Sequence, residues 1–134
     1  MPGYSQTPLL KKLGIKSDMS LYVLHAPENY WEELGPLPDD VTNLKTLRSD
    51  VDFIHLFVAD QKTLFKELPK AKKNLATDGM LWISWPKKSS QKPTDLDEKI
   101  IRESGLSAGL VDVKVCAVDD VWSGLKFVYR LRDR

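Results

Sequence analysis

The chain has 134 residues, with 20 Lys+Arg against 19 Asp+Glu for a formal charge of +1, and 42% of its residues are hydrophobic. That length suits one domain and that composition a globular protein, neither disordered nor membrane-bound. Near-neutral charge gives no electrostatic ground for nonspecific nucleic-acid binding. The single Cys excludes an intramolecular disulfide framework and a multi-thiolate metal site.

Taken in chain order, Thr7 to Gly14 reads as a short helix: Thr7 caps it, Pro8 takes the first helical position, and Gly14 ends it in the left-handed conformation. Leu21–Leu24 is an unbroken apolar run, the mark of a strand buried on both faces. Glu28 to Leu34 predicts a helix with Tyr30, Trp31 and Leu34 inward, stopped by Gly35-Pro36, and Val41 to Leu47 a weak second strand. Val51 to Val58 is the strongest strand signal. Asp60 caps a helix that carries Leu64, Phe65 and Leu68 inward; Pro69 predicts a break or kink, and the segment ends near Asp78-Gly79. Lys62, Lys66 and Lys70 fall on its outer face, where lysines keep a helix solvated.

Met80 to Trp85 predicts the next strand, and Pro86 to Pro93 a polar loop. Thr94 with Asp97 matches a capping-box variant, opening a helix through Leu96, Ile100 and Ile101 that Gly105 closes. Val111, Val113, Val115 and Ala117 alternate with polar residues and Cys116, and Leu125, Phe127, Tyr129 and Leu131 do likewise. These are two half-buried strands in an antiparallel pair, joined through Asp119 to Gly124. The expectation is one α/β domain over 1–134, with 1–19 as a helical lead-in. Its sheet is Rossmann-like and mostly parallel, with an antiparallel C-terminal pair.

That order resembles the class I methyltransferase fold, whose last strand runs backwards. Asp52 to Phe57 resembles that family's fourth strand, and Asp78-Gly79-Met80-Leu81-Trp82-Ile83-Ser84 the glycine-containing turn into its fifth. Longer strings resemble a family of small bacterial proteins of unknown function, namely Gly3-Tyr4-Ser5 with Thr7-Pro8-Leu9, Leu34 to Pro38, Trp82 to Lys88, Gly109 to Cys116, and Val121 to Lys126. The methyltransferase resemblance implies a Gly-rich turn after the first strand, where bare backbone approaches the cofactor. His25-Ala26-Pro27-Glu28-Asn29 holds no glycine there, Pro27 has no N–H, and Glu28 adds negative charge. Asp50 stands for the acid expected after the second strand, and Ala59-Asp60-Gln61 replaces the Pro-rich motif of amino-methylating enzymes. Active methyl transfer and a bound cofactor are therefore not expected.

Open α/β sheets bind ligands at the carboxyl ends of their strands. The residues placed there are His25, Asn29, Ser84, Trp85, Lys87 and Lys88, which fit a small anionic or nucleotide-like ligand by charge and stacking; packing of Trp85 and solvation of the lysines is the plainer alternative. His25 is the one candidate general base, and His55, inside an apolar strand, reads as a hydrogen-bonded core imidazole. Asp119 and Asp120 could act as paired carboxylates but are ordinary turn formers, whereas Trp122 either plugs the core or joins Trp31 in a contact surface. Two histidines without a further ligand give no metal pattern. The chain shows no secretory signal in Met1 to Gly14 and no apolar run near the roughly 20 residues of a spanning helix, so a cytoplasmic location is expected. The leading functional expectation is a noncatalytic ligand-binding or regulatory module. The alternatives are a small enzyme using His25 with Lys87 and Lys88, and a protein–protein interaction module whose partner is unknown.

Overall fold

The computed structural model describes residues 8–134, so the predicted Thr7 cap and the Gly3-Tyr4-Ser5 string lie outside it. The chain runs α1 (Leu9–Leu13), β1 (Ser20–Leu24), α2 (Tyr30–Leu34), β2 (Thr42–Leu44), β3 (Val51–Phe57), α3 (Gln61–Asn74), β4 (Leu75–Pro86), α4 (Glu98–Ser107), β5 (Leu110–Ala117) and β6 (Trp122–Tyr129), with 3-10 turns at Lys88–Ser90 and Leu131–Asp133. The strands form one sheet in the order β2-β1-β3-β4-β6-β5. β2, β1, β3 and β4 are parallel neighbours, and β6 runs against both β4 and β5. The mostly parallel α/β sheet and its antiparallel C-terminal pair are as the sequence order implies.

Two apolar layers sandwich the sheet. On one side α3 and α4 bury Leu64, Leu68, Ala71 and Ile101 against Ile54, Leu56, Ile83, Leu125 and Phe127. On the other, the short helices α1 and α2 bury Leu13, Tyr30 and Leu34 against Phe53, Phe57 and Trp82. Burial of β3 on both faces follows from this, and explains why its sequence is apolar at both alternations. Gly14 closes α1 at φ 86°, donating to the Leu10 carbonyl, and Pro8 sits just before the helix as its cap residue.

Several local expectations change. Trp31 (37% exposed) and Phe65 (53%) face outward, because the buried stripes of their helices already use Tyr30 with Leu34 and Leu64 with Leu68. Pro69 lies within one continuous α3. Its ring removes the N–H that the Phe65 carbonyl would accept, but both residues lie on the exposed face, where water can replace that donor. β4 starts at Leu75 instead of Met80, since Val51 pairs with Leu75 before an irregularity, and regular pairing resumes at Phe53 with Met80. Asp97, not Thr94, caps α4 by accepting from the Ile100 amide at 2.9 Å, while Thr94 accepts from the Leu96 amide. A bulge at Val113 breaks the alternation of β5 and leaves Val113 and Val115 exposed. β6 ends at Tyr129, so Leu131 is exposed in the last turn.

Gly105 does not close α4 but lies inside it, buried against Phe127. A β-carbon there would collide with the ring of Phe127, which is itself fully buried. The helix can therefore approach the sheet this closely only with a glycine at the crossing. Gly105→Ala is expected to destabilise the fold by about 1–3 kcal/mol, the range for overpacking a filled core. Urea unfolding measures it, and Phe127→Leu in the same chain should recover part of the loss; additive losses would show that the two positions do not touch.

Candidate functional site

The most concentrated chemistry lies inside the α1/α2 layer. His55 is fully buried at the centre of β3, stacked on Phe57 with ring centroids 4.1 Å apart. Its Nδ1 is 2.9 Å from the Tyr30 hydroxyl and its Nε2 is 2.7 Å from Ser84 Oγ. Ser84 is also fully buried. His55 pairs in register with Trp82, and Ser84 sits opposite Phe57, so the imidazole reaches one same-face position along β4. A neutral imidazole has one N–H and one lone pair, and two hydroxyls that can each donate or accept satisfy both. Burial lowers the His55 pKa to about 3 and raises that of Tyr30, so both groups stay neutral at ordinary pH.

A serine, an imidazole and a third group in line make the skeleton of a nucleophile, its base and an orienting partner. Here Ser84 and His55 have no exposed surface, and each polar atom of the chain is occupied by the next. Sequence reasoning reads His55 as a satisfied core imidazole, which it is, but misses its partners. The signal available was a polar ring within an apolar strand; the identity of Tyr30 and Ser84 depends on strand register and helix placement.

At the carboxyl edge, the six predicted ligand residues separate. Ser84 and Trp85 are consecutive on β4 and face opposite layers, Ser84 towards His55 and Trp85 into the α3/α4 core. His25 and Asn29 are exposed beside the turn after β1, His25 at φ 57°. Lys87 is half-buried and its amide donates to the Val121 carbonyl at 2.7 Å, whereas Lys88 is exposed in the following 3-10 turn. The surface groups of this edge are thus His25, Asn29, Lys87 and Lys88. Tyr30, which follows the β1 turn, is buried edge-on against Phe57, so an aromatic side chain packs into the layer just after the stretch that lacks the glycine. Asp50 precedes β3 and so stands at the amino end of the strands, away from this edge; Lys45 follows β2. Asp60 accepts from the Thr63 amide at 2.7 Å as the α3 cap, which the sequence foresees.

Asp119 Oδ1 accepts from the amides of Val121 and Trp122, both at 2.8 Å, so this carboxylate shapes the turn. Asp120 is exposed. Among the described residues no three His, Cys, Asp or Glu side chains gather as a metal site. Trp122 folds onto the layer, its ring edge-on to Phe57 at 5.2 Å, and Trp31 packs edge-on to Tyr30 at 5.1 Å. Tyr30 and Phe57 are themselves 5.1 Å apart, so the four rings form one aromatic row behind the edge.

Residues 39–131 match the family described as "Protein of unknown function (DUF3052)". The chain belongs to this family. None of the curated proteins compared matches it. Among solved structures it is similar to a SAM dependent methyltransferase from Aquifex aeolicus, with 17% identity and a TM-score of 0.59, covering 89% of this chain and 86% of the other. It is also similar to a precorrin-6y C5,15-methyltransferase from Geobacter metallireducens GS-15, with 11% identity and a TM-score of 0.60 over 91% and 86% of the two chains. A third is DhpI in complex with SAH, with 11% identity and a TM-score of 0.64 over 93% and 84%. Identities this low establish a shared fold and no shared activity. This member of the DUF3052 family therefore has a methyltransferase-like α/β fold. No helix among its described residues is long and apolar enough to cross a membrane.

The buried histidine makes folding pH-dependent. An unfolded His titrates near pH 6.5 and the folded one near pH 3, so below about 6.5 the unfolded chain binds the extra proton. This contribution is complete above pH 6.5 and is lost as pH falls towards 3, with a slope of up to about 1.4 kcal/mol per pH unit. Urea unfolding at pH 7 and pH 5 should show a smaller pH loss in His55→Gln than in the wild type, and equal losses would place the acid sensitivity elsewhere. Tyr30→Phe, which strands the imidazole Nδ1, should cost about 1–3 kcal/mol at pH 7 in the same assay; a loss below about 0.5 kcal/mol would mean the bond contributes nothing net.

Proposed function

We propose that the protein is a noncatalytic binding or regulatory module of the cytoplasm, taking a small anionic or nucleotide-like ligand at the carboxyl edge of its sheet. One observation carries this reading: the groups best able to form a nucleophile and base, Tyr30, His55 and Ser84, are sealed inside the layer and bonded to one another. What remains at the surface of the edge is suited to binding. Lys87 and Lys88 supply positive charge, Asn29 an amide and His25 an imidazole.

The turn after β1 supports the same reading. Pro27 contributes no N–H, Glu28 places an exposed carboxylate in the turn, and Tyr30, which follows, is buried in the layer. A cofactor held as in a glycine-rich turn would need bare backbone where these side chains are. SAH, with which one fold neighbour was solved, is therefore a useful ligand to try against simpler anions.

Amide-detected NMR titration with SAH, adenosylmethionine, AMP and inorganic phosphate tests the proposal. Shifts are expected at His25, Asn29, Lys87 and Lys88 for at least one of them. Lys87→Ala with Lys88→Ala should weaken that ligand about tenfold. Incubation with methyl-labelled adenosylmethionine and a panel of acceptors should transfer no label. Transfer that His25→Ala abolishes would establish an enzyme instead, and unmoved signals along this edge with every ligand would remove the site.

A further inference from the structure

A second cluster lies away from that edge, and the functional reading above does not use it. Lys114 on β5 and Lys126 on β6 are direct partners across the antiparallel pair. Side chains so placed share one face with β-carbons about 4.5–5.5 Å apart, a position where like charges repel. Lys126 also pairs with Trp82 on β4, and the Trp82 indole donates to the Leu13 carbonyl at 2.9 Å, so the shared face is the one α1 covers. There the Lys114 ammonium donates to the Lys12 carbonyl at 3.2 Å, which holds it over the end of α1.

Lys12 and Lys16, from α1 and the segment after it, complete the cluster. Burial and then the charges of Lys114 and Lys16 hold Lys126 below the ordinary lysine range, in keeping with the register that sets Lys114 beside it. Lys114 and Lys12 likewise act on Cys116, whose thiol burial nevertheless pushes up. The ion pairs among the described residues both belong to Arg102, one with Glu98 and one with Asp112. Asp112, the carboxylate nearest along β5, is therefore engaged by α4, and none of the four lysines has a described carboxylate partner.

Solvation alone accounts poorly for this arrangement. A solubilising row such as Lys62, Lys66 and Lys70 stands exposed on the outside of α3, where water screens each charge. Here Lys12 and Lys126 are half-buried and Lys114 is tied to backbone, so the charges are drawn together from four separate segments. A multivalent anion would relieve that repulsion, and lysine ammonium groups meet phosphate oxygens as point charges. We propose that Lys12, Lys16, Lys114 and Lys126 bind the phosphate chain of an oligophosphate or nucleoside polyphosphate where α1 meets the β5/β6 pair.

Titration calorimetry and amide-detected NMR at low ionic strength, with inorganic tripolyphosphate and with ATP, test this. Both probes should shift Lys12, Lys16, Lys114, Cys116 and Lys126, with affinity falling as salt is added. Lys114→Gln, exposed and so compatible with folding, should weaken tripolyphosphate about tenfold, and adding Lys126→Gln should weaken it further. Tripolyphosphate should also raise the melting temperature of the wild type more than that of Lys114→Gln. Equal binding of the two probes would assign the site to the phosphate chain, and tighter ATP binding would add a nucleoside contact; both support the proposal. Affinity unchanged in the double variant, no shift at these residues, or tighter binding of a single-stranded oligodeoxythymidylate than of either probe would overturn it. Because the same spectra report His25 and Lys87, a failure here is distinguishable from a failure at the carboxyl edge.

Discussion

The need to satisfy one buried imidazole organises the α1/α2 side of the molecule. His55 lies in the middle of the most buried strand, where an unpaired ring nitrogen would carry its full desolvation penalty. One partner comes from the neighbouring strand as Ser84, and the other must come from above the sheet, as the hydroxyl of Tyr30. That requirement seats α2. A helix of five residues has little stability of its own, and its place is set by what Tyr30 and Leu34 bury and by the bond that Tyr30 makes. The other short helix on this side is held in a comparable way, through the Trp82 indole and the Leu13 carbonyl. The opposite layer has a tie of the same kind, the Tyr129 hydroxyl donating to the Lys72 carbonyl of α3 at 2.7 Å, but there α3 and α4 are also long enough to present apolar stripes of their own.

The same bond has a consequence for the carboxyl edge. In a Rossmann-like sheet the turn after the first strand is where a ligand meets backbone, and glycine keeps that space open. Seating α2 to satisfy His55 turns Tyr30 into the layer directly after this turn, where its ring packs on Phe57 and Phe57 on Trp122. The fold is methyltransferase-like, while the residue that follows the turn is committed to the buried aromatic layer. The binding proposed for this edge therefore falls to its surface groups, His25, Asn29, Lys87 and Lys88.

What the sequence makes legible follows from the range of each interaction. Local ones read well: Gly14 ending α1, Asp60 capping α3, and the apolar runs of β1 and β3 that put helices on both faces of a parallel sheet. Orientation around a short helix reads poorly, since Trp31 and Phe65 are as apolar as their neighbours, and only the position of the sheet decides which residues turn inward. Gly105 looks like a helix end because glycine usually is one; its use here is set by Phe127, in a different element. Ser84 and Trp85 illustrate the same limit at the site. Both fall near the end of a strand, as ligand residues do, yet strand alternation sends one to His55 and the other into the opposite core.

Charge follows this rule too. Lys87, Lys88 and Lys92 are conspicuous in sequence because they are close in the chain. Lys114 and Lys126, with Lys12 of α1 beside them, are invisible there, because strand register and the docking of α1 bring them together. Protection of the exposed sheet edge explains part of the second group: β5 is an edge strand, and a bulge at Val113 followed by a lysine discourages a further strand from pairing. It does not explain Lys126, which lies on β6 between two paired strands and is half-buried beside Lys114. An edge needs one charge; a second ammonium opposite the first weakens the very pair that the edge completes. The near-neutral total of the chain is therefore compatible with a local concentration of positive charge that the fold, and not the sequence, brings together.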